Sequence, residues 1–315
     1  MLRNSGALLL AVLLLVGCGD DSSRPAASTV DTTADEAAVE RYEVGASVET
    51  FVDESRPTPA NGSFEGAPSR TIETKVYVPV APDGVDVGAG FPLIVFSHGI
   101  DDSYERYDAV LREWAASGYV VAAPNFPLLR KGAPGGPTLA DLDNQPADLQ
   151  FVMDSVRGLA DESDRELPGP VADTTALAGK SFGAITTLTA VYGPDPIEGP
   201  VDAAVSMAGG MDDKTAVDRA DTPLLLIHGD SDVRVPYQGS VDVFALANPP
   251  KYFLTLVGEG HTGAYNGGES AVEVLVPQAS LDFFDAYLKD DAAALDRLIA
   301  DGDVPSVATM DAVPD

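Results

Sequence analysis

Gly179-Lys180-Ser181-Phe182-Gly183 places a serine between two glycines. That spacing suits a hydroxyl lifted out of a sharp turn to attack an electrophilic carbon. The pattern decides nothing alone. At this glycine content, composition supplies Gly-x-Ser-x-Gly by accident with a probability of roughly one in six. A serine hydroxyl is also a poor nucleophile near neutral pH and needs a base beside it. The chain has 3 histidines: His98 in Ser97-His98-Gly99-Ile100, His228 in Ile227-His228-Gly229-Asp230, and His261 in Gly260-His261-Thr262. In the chain order nucleophile, acid, base, only His261 leaves room for an acid after Ser181.

That acid is sought in Leu226-Ile227-His228-Gly229-Asp230-Ser231-Asp232-Val233. Asp232 is the better candidate, because a loop reaching from a strand end toward His261 needs a few residues of extension. Asp230 suits closing the turn with its own side chain. Charge developing on a carbonyl oxygen needs two backbone donors. The N–H of Phe182 and that of Ile100, in the loop after His98-Gly99, are the expected pair. His98 is expected to hold that loop by a ring hydrogen bond, and His228 to be a strand-end residue near the site rather than a catalyst.

These residues need elements that bring them together. Thr71–Val80 alternates polar and apolar residues as a half-exposed strand does. Phe91–Ser97 is a continuous apolar run, as in a buried parallel strand. Tyr104–Ser117 has helical periodicity, and Gly118 stops it. Trp114 sits on its apolar face and reads as core. Further strands are expected at Tyr119–Ala123, Ala176–Ala178, Val201–Met207, Pro223–Ile227 and Tyr252–Val257. Helices are expected at Gln145–Leu159, Ser181–Val191, Gln238–Ala247 and about Glu269–Leu288. Alternating strands and helices indicate an α/β fold with a mainly parallel central sheet flanked by helices. Its function should sit beyond the carboxyl ends of the strands. Ser181 lies there, between a strand and a helix. Connections are short, so no large lid domain is expected, with the loop Asn125–Leu139 as partial cover.

The bulk properties narrow the partners. The chain has 315 residues, 45% hydrophobic, and a formal net charge of −31 from 50 acidic and 19 basic residues. A surface this acidic repels phosphate backbones and disfavours nucleic acid. No cluster of His, Cys and carboxylates has metal-ligand spacing, and Gly132–Pro137 lacks the Gly-Lys-Ser/Thr that closes a phosphate loop. No metal or cofactor is expected.

Arg3 precedes an apolar run from Gly6 to Val16, followed by Gly17 and Cys18, the chain's 1 cysteine. The run is too short to span a bilayer and has the shape of a signal-peptide core. Leu15-Val16-Gly17-Cys18 resembles the lipobox of bacterial lipoproteins, which implies lipidation of Cys18 and an exported, membrane-anchored protein on the cell surface or the periplasmic side. Residues 19–40 are acidic, small and without aromatics, as a disordered tether is. The expected organisation is a signal peptide over 1–17, lipidated Cys18 and tether over 18–40, the α/β domain over 41–290, and a C-terminal helix with a loose acidic tail over 291–315.

From about Thr50 to Leu288 the chain resembles a bacterial α/β-hydrolase of the dienelactone hydrolase and platelet-activating-factor acetylhydrolase-like group, which neighbours cutinase-like polyester hydrolases. The resemblance rests on VDESRPTPANG (52–62), PSRTIETKVYVP (68–79), FPLIVFSHG (91–99), GGPTLADLDNQPADLQFVMD (135–154), GKSFG (179–183), LLLIHGDSDVRVP (224–236) and GEGH (258–261). It implies hydrolysis of a small-molecule, lipid or polyester carboxylic ester through an acyl-enzyme. Its nucleophile falls on Ser181, its acid on Asp232, its base on His261, and its oxyanion donors on Ile100 and Phe182. Two positions depart from the group. Lys180 stands where a histidine is usual, and Ala184 where a second glycine is. A lysine there would favour anionic or polar esters. A serine peptidase or acyl transferase with the same residues, and a non-catalytic ligand-binding lipoprotein on the same fold, are the competing expectations.

Overall fold

The computed structural model describes residues 41–82, 87–161, 170–211 and 217–314. Nine strands form one sheet in the order β1-β2-β4-β3-β5-β6-β7-β8-β9. They are β1 Glu43–Asp53, β2 Arg70–Val80, β3 Phe91–Ser97, β4 Val120–Asn125, β5 Val171–Lys180, β6 Ala203–Met207, β7 Leu224–Gly229, β8 Lys251–Leu256 and β9 Ala308–Val313. From β4 to β8 in spatial order all neighbours are parallel, whereas β1, β2 and β9 run antiparallel to theirs. The parallel strands β3, β4, β6 and β7 are buried at every position, so their sequences are apolar runs without alternation.

Helices cover both faces. On one, α1 (Asp108–Ala116), α5 (Ala271–Leu288) and α6 (Ala292–Asp301) set Leu111, Trp114, Phe284 and Leu298 against the sheet. On the other, α2 (Gln145–Asp161), α3 (Phe182–Tyr192) and α4 (Gln238–Leu246) bring Leu149, Val152, Leu188 and Val243. This is the α/β-hydrolase fold, without a lid domain among the described residues. Trp114 is fully buried, edge-on to Phe96 and Phe284.

The order of the sheet selects the site. From β3 the chain crosses to β4 on one side and returns to β5 on the other. Loops leaving β3 and β5 therefore diverge to opposite faces and open a crevice at their carboxyl ends. Ser97-His98-Gly99 and Lys180-Ser181 end those two strands.

Two expectations are corrected at the sheet edges. The segment after Asp290 carries the expected helix, but its end is not a loose tail: β9 pairs with β8 from Lys251↔Val313 to Leu256↔Ala308. β1, assigned to no element from the sequence, pairs with β2 over its whole length. Edge strands bond on one side and leave most side chains in solvent, so neither needs an apolar face. Only Phe51 and Asp53 of β1 and Ala308 of β9 are buried. The expectations for Cys18, the signal peptide and the tether lie outside the described residues.

Candidate active site

Ser181 occupies the turn between β5 and α3 with φ 60° and ψ −123°, a left-handed conformation that side chains rarely adopt. Its two flanking glycines permit it by close approach. A Cβ on Gly179 would lie 2.2 Å from the Gly183 carbonyl oxygen, and one on Gly183 would lie 2.0 Å from that of Ser97. Both distances are impossible, so β5, α3 and β3 meet this tightly only with hydrogen at both positions. The result presents the Ser181 hydroxyl on top of the sheet.

The structure brings Ser181, His261 and Asp232 together although they lie on three loops. His261 Nε2 is 2.8 Å from Ser181 Oγ, and His261 Nδ1 is 2.6 Å from Asp232 Oδ2. The carboxylate faces Nδ1, so Nδ1 carries the ring proton and donates it to Asp232. Nε2 is then free to accept from the serine hydroxyl. Burial lowers the His261 pKa, and the Lys180 charge adds to that; Asp232 opposes both, and the net position is below the ordinary histidine value. The ring is therefore neutral near pH 7, as an acceptor must be.

Asp232 is fixed from four directions. Its Oδ1 accepts the Arg234 and Val235 N–H groups at 2.8 and 3.1 Å. Its Oδ2 accepts His261 Nδ1–H and, at 3.1 Å, His228 Nε2. Burial alone would raise its pKa; the bonds from His261 and the two backbone N–H groups outweigh burial and hold it below the ordinary value. Asp230 lies apart, exposed, with its carboxylate accepting Gly258 N–H at 2.8 Å and the Ser231 hydroxyl at 3.1 Å. It closes the turn between the ends of β7 and β8.

The Ile100 and Phe182 N–H groups have no acceptor among the described residues. Phe182 opens α3, where the first N–H groups have no partner within the helix. Gly99 packs on Ser181: a Cβ there would sit 3.2 Å from Ser181 Cβ. The loop after β3 thus runs directly over Ser181. His98 holds that loop. Its Nδ1 donates to the Gly99 carbonyl at 2.7 Å, and its Nε2 accepts the Phe126 N–H at 3.1 Å. Burial pushes its pKa down to about 4, which keeps Nε2 an acceptor.

His228 does more than the sequence expectation gave it. Its Nε2 faces two acceptors, Asp232 Oδ2 and the Val235 carbonyl, both at 3.1 Å, so that nitrogen is protonated. Its Nδ1 lies 2.7 Å from Ser240 Oγ, which is also 2.9 Å from the Gly209 carbonyl. One hydroxyl proton cannot serve both acceptors. Burial lowers the His228 pKa and favours the neutral ring, which takes it. A signal for this was present: His228 lies next to the end of β7 and four residues before Asp232, close enough for the chain to turn back on itself.

Gly99, Ile100, Ser181, Phe182 and His261 line one cleft of about 400 Å³, together with Asp101, Asp102, Arg106, Lys180, Arg234, Val235 and Thr262. The sequence reading had singled out Lys180 but not Arg106 or Arg234, which only the folded loops bring beside it.

The family model of platelet-activating factor acetylhydrolase, isoform II, matches residues 70–126. No curated protein matches the chain. The matched segment runs from β2 through the His98-Gly99 loop to the end of β4, and so includes the wall that Ile100 contributes but not Ser181, Asp232 or His261. With the fold, this similarity points to a hydrolase of the lipase and esterase type.

Proposed function

We propose that the protein is a serine carboxylic-ester hydrolase working through an acyl-enzyme on Ser181. The observation that carries this reading is the hydrogen-bonded line from Ser181 through His261 to Asp232 at a left-handed turn. A hydroxyl, a neutral imidazole and a carboxylate in that line make a nucleophile, its base and the group that orients the base.

In the first step His261 Nε2 takes the Ser181 hydroxyl proton while Oγ attacks the ester carbonyl carbon. The oxygen of the tetrahedral adduct carries the charge and is held by the Ile100 and Phe182 N–H groups. Losing one such donor costs on the order of 3 kcal/mol in the transition state. The adduct collapses, the C–O bond to the alcohol breaks, and the alcohol leaves with the proton from His261. Asp232 stays ionised and steadies the imidazolium. Water then enters, gives its proton to the same nitrogen and attacks the acyl carbon. The acid is released and Ser181 regains its proton. The route uses these groups and water.

A fluorophosphonate probe tests the reading directly. It should label the protein on Ser181, and Ser181→Ala should abolish both the label and the hydrolysis of 4-nitrophenyl esters. Labelling elsewhere, or none, would overturn it. Turnover of a peptide but of no ester would favour the peptidase alternative.

The proposal extends to place. The apolar run before Cys18 supports an exported protein carrying a lipid on that residue. Radiolabelled palmitate should enter the protein in a bacterial host and fail to enter Cys18→Ala.

A further inference from the structure

Lys180 is 5% exposed, yet its ammonium makes no hydrogen bond or ion pair among the described residues. Nζ stands over the face of the Tyr265 ring, 5.8 Å from the ring centre. A cation at this depth is normally paired, since removing it from water is costly. Lys180 nevertheless lines the cleft, one residue before the nucleophile. Arg106 and Arg234 line the same cleft from the loop after β3 and the loop after β7. Arg234 is exposed and has no ion-pair partner among the described residues. Arg106 is split between Asp102 Oδ2 at 3.5 Å and Asn266 Oδ1 at 3.3 Å.

Two carboxylates share the cleft, and neither answers Lys180. Asp102 is already occupied by Arg106, the Tyr107 hydroxyl at 3.0 Å and the Ser103 N–H at 3.1 Å. Asp101 is exposed and makes no bond to Lys180. The contrast with the net charge of −31 is sharp: with 19 basic residues in all, the protein sets these cations around Ser181 and gives the deepest no counter-ion among the described residues.

We propose that this wall is an anion subsite, with Lys180 as its floor and Arg106 and Arg234 at its mouth, that selects carboxylic esters bearing a second, ionised carboxylate. The inference rests on the esterase reading of Ser181. A carboxylate on the substrate supplies the partner that the fold withholds from Lys180. It does so next to the scissile bond, where charge on the bound ester is converted into orientation. Burial, with the nearby Arg106, brings the Lys180 pKa down to about 8, against the pull of Asp102 and Asp232. The ammonium form therefore still dominates at pH 7 and is held ready at a cost that a bound anion relieves.

Matched ester pairs test this. One pair carries the charge on the alcohol side: 4-acetoxybenzoate against its methyl ester. The other carries it on the acyl side: mono-(4-nitrophenyl) adipate against 4-nitrophenyl hexanoate. The intact protein should favour the anionic member of at least one pair by about tenfold in kcat/KM, and the pair that responds identifies the side. Lys180→Met should lower that ratio about tenfold, and Arg234→Gln, at an exposed position, should lower it less. Equal rates within both pairs, or a ratio that Lys180→Met leaves unchanged, would overturn the proposal. Calorimetry separates this from failure of the esterase reading. In the Ser181→Ala protein, 4-acetamidobenzoate should bind and its methyl ester should bind at least tenfold more weakly. Binding lost in Lys180→Met supports the subsite even if no ester is turned over. No preference for the anion in calorimetry, beside active hydrolysis of neutral esters, sinks the subsite and leaves the esterase standing.

Discussion

Asp232 and His228 are joined by a hydrogen bond of 3.1 Å from Nε2 to Oδ2, the same carboxylate oxygen that His261 contacts from the other side at 2.6 Å. One oxygen thus lies between two imidazoles. His261 faces the cleft, while His228 is fully buried and anchored to Ser240 at 2.7 Å. His228 does not line the cleft, so any influence it has on chemistry there passes through the Asp232 carboxylate. Its N–H draws charge from Oδ2 and fixes the plane of the carboxylate that His261 must meet.

Removing that donor should act on kcat more than on KM. His228→Leu should lower kcat by about tenfold or more, with KM changed less than about threefold, the pattern of a lost transition-state interaction. His228→Gln keeps a donor and should recover part of the loss. Without His228, more of the carboxylate charge faces His261, so the acid limb of the pH profile should move to higher pH. A kcat loss with no displacement of that limb would reduce His228 to a packing residue.

The intact protein has its own pH signature. In the proposed mechanism His261 must be neutral to accept the serine proton, and burial holds its pKa below the ordinary value of 6.5. Activity is therefore lost as pH falls through a midpoint lower than 6.5. The profile of kcat/KM for a neutral ester reports the free enzyme. A midpoint at or above pH 7 would contradict the environment described for the ring.

How much of this was legible in the chain follows from which forces write themselves into local sequence. Buried parallel strands did: Phe91–Phe96 and Leu224–Ile227 are apolar at every position because both faces are covered. Ser181 was legible through its glycines, whose role is local. Asp232 was separable from Asp230 by reach alone. The edge strands β1 and β9 were not legible, because backbone pairing carries no side-chain pattern when one side faces water. Nor was the contact from Arg106 and Arg234 to the cleft, which exists only after distant loops converge at the β3/β5 crossing.

Lys180 should weaken the fold it serves. Its pKa is about 8 in the folded protein against an ordinary 10.5. Between those values the unfolded chain binds more protons than the native one, so stability rises with pH across that window. Below pH 8 both states are protonated and the full cost stands, on the order of 3 kcal/mol. Lys180→Met should therefore raise Tm by several degrees at pH 7, and the gain should shrink between pH 8 and 10. A variant less stable than the parent at pH 7 would show that the ammonium is paired in solution.

Arg70 is the opposite case, a buried charge with its partners in place. It is wholly buried and bonds Asp148 through Nε at 2.8 Å and Nη2 at 2.6 Å, and Asp141 at 3.0 and 2.9 Å. The network ties the start of β2 to α2 and to the 3₁₀ turn before it. Arg70→Met would leave buried Asp141 without its cation and Asp148 with Arg56 alone, 2.9 Å from Oδ1, at a cost of about 3–5 kcal/mol. Burial already raises the Asp148 pKa despite Arg70. In the variant Asp148 should take a proton more readily still, so the loss, read by urea unfolding, should be largest at pH 7 and smaller at pH 5. A loss that does not vary with pH would place the damage in packing rather than in charge.

The C-terminal strand links stability to the site. β9 covers the outer edge of β8, and the Val257 N–H bonds the Val307 carbonyl at 2.9 Å just where the chain leaves for His261. Without β9 the edge of β8 exposes a row of free backbone groups over apolar Tyr252-Phe253-Leu254, a template for pairing with a second chain. β9 carries Asp311 in its middle, a charge of the kind that blunts an edge. Ending the chain after Gly302 should therefore yield a protein that self-associates at micromolar concentration, seen by light scattering. Its remaining monomer should lose activity through His261, with fluorophosphonate labelling of Ser181 slowed in proportion. A monomeric truncation with full labelling rate would mean that β8 and the His261 loop hold their places without β9.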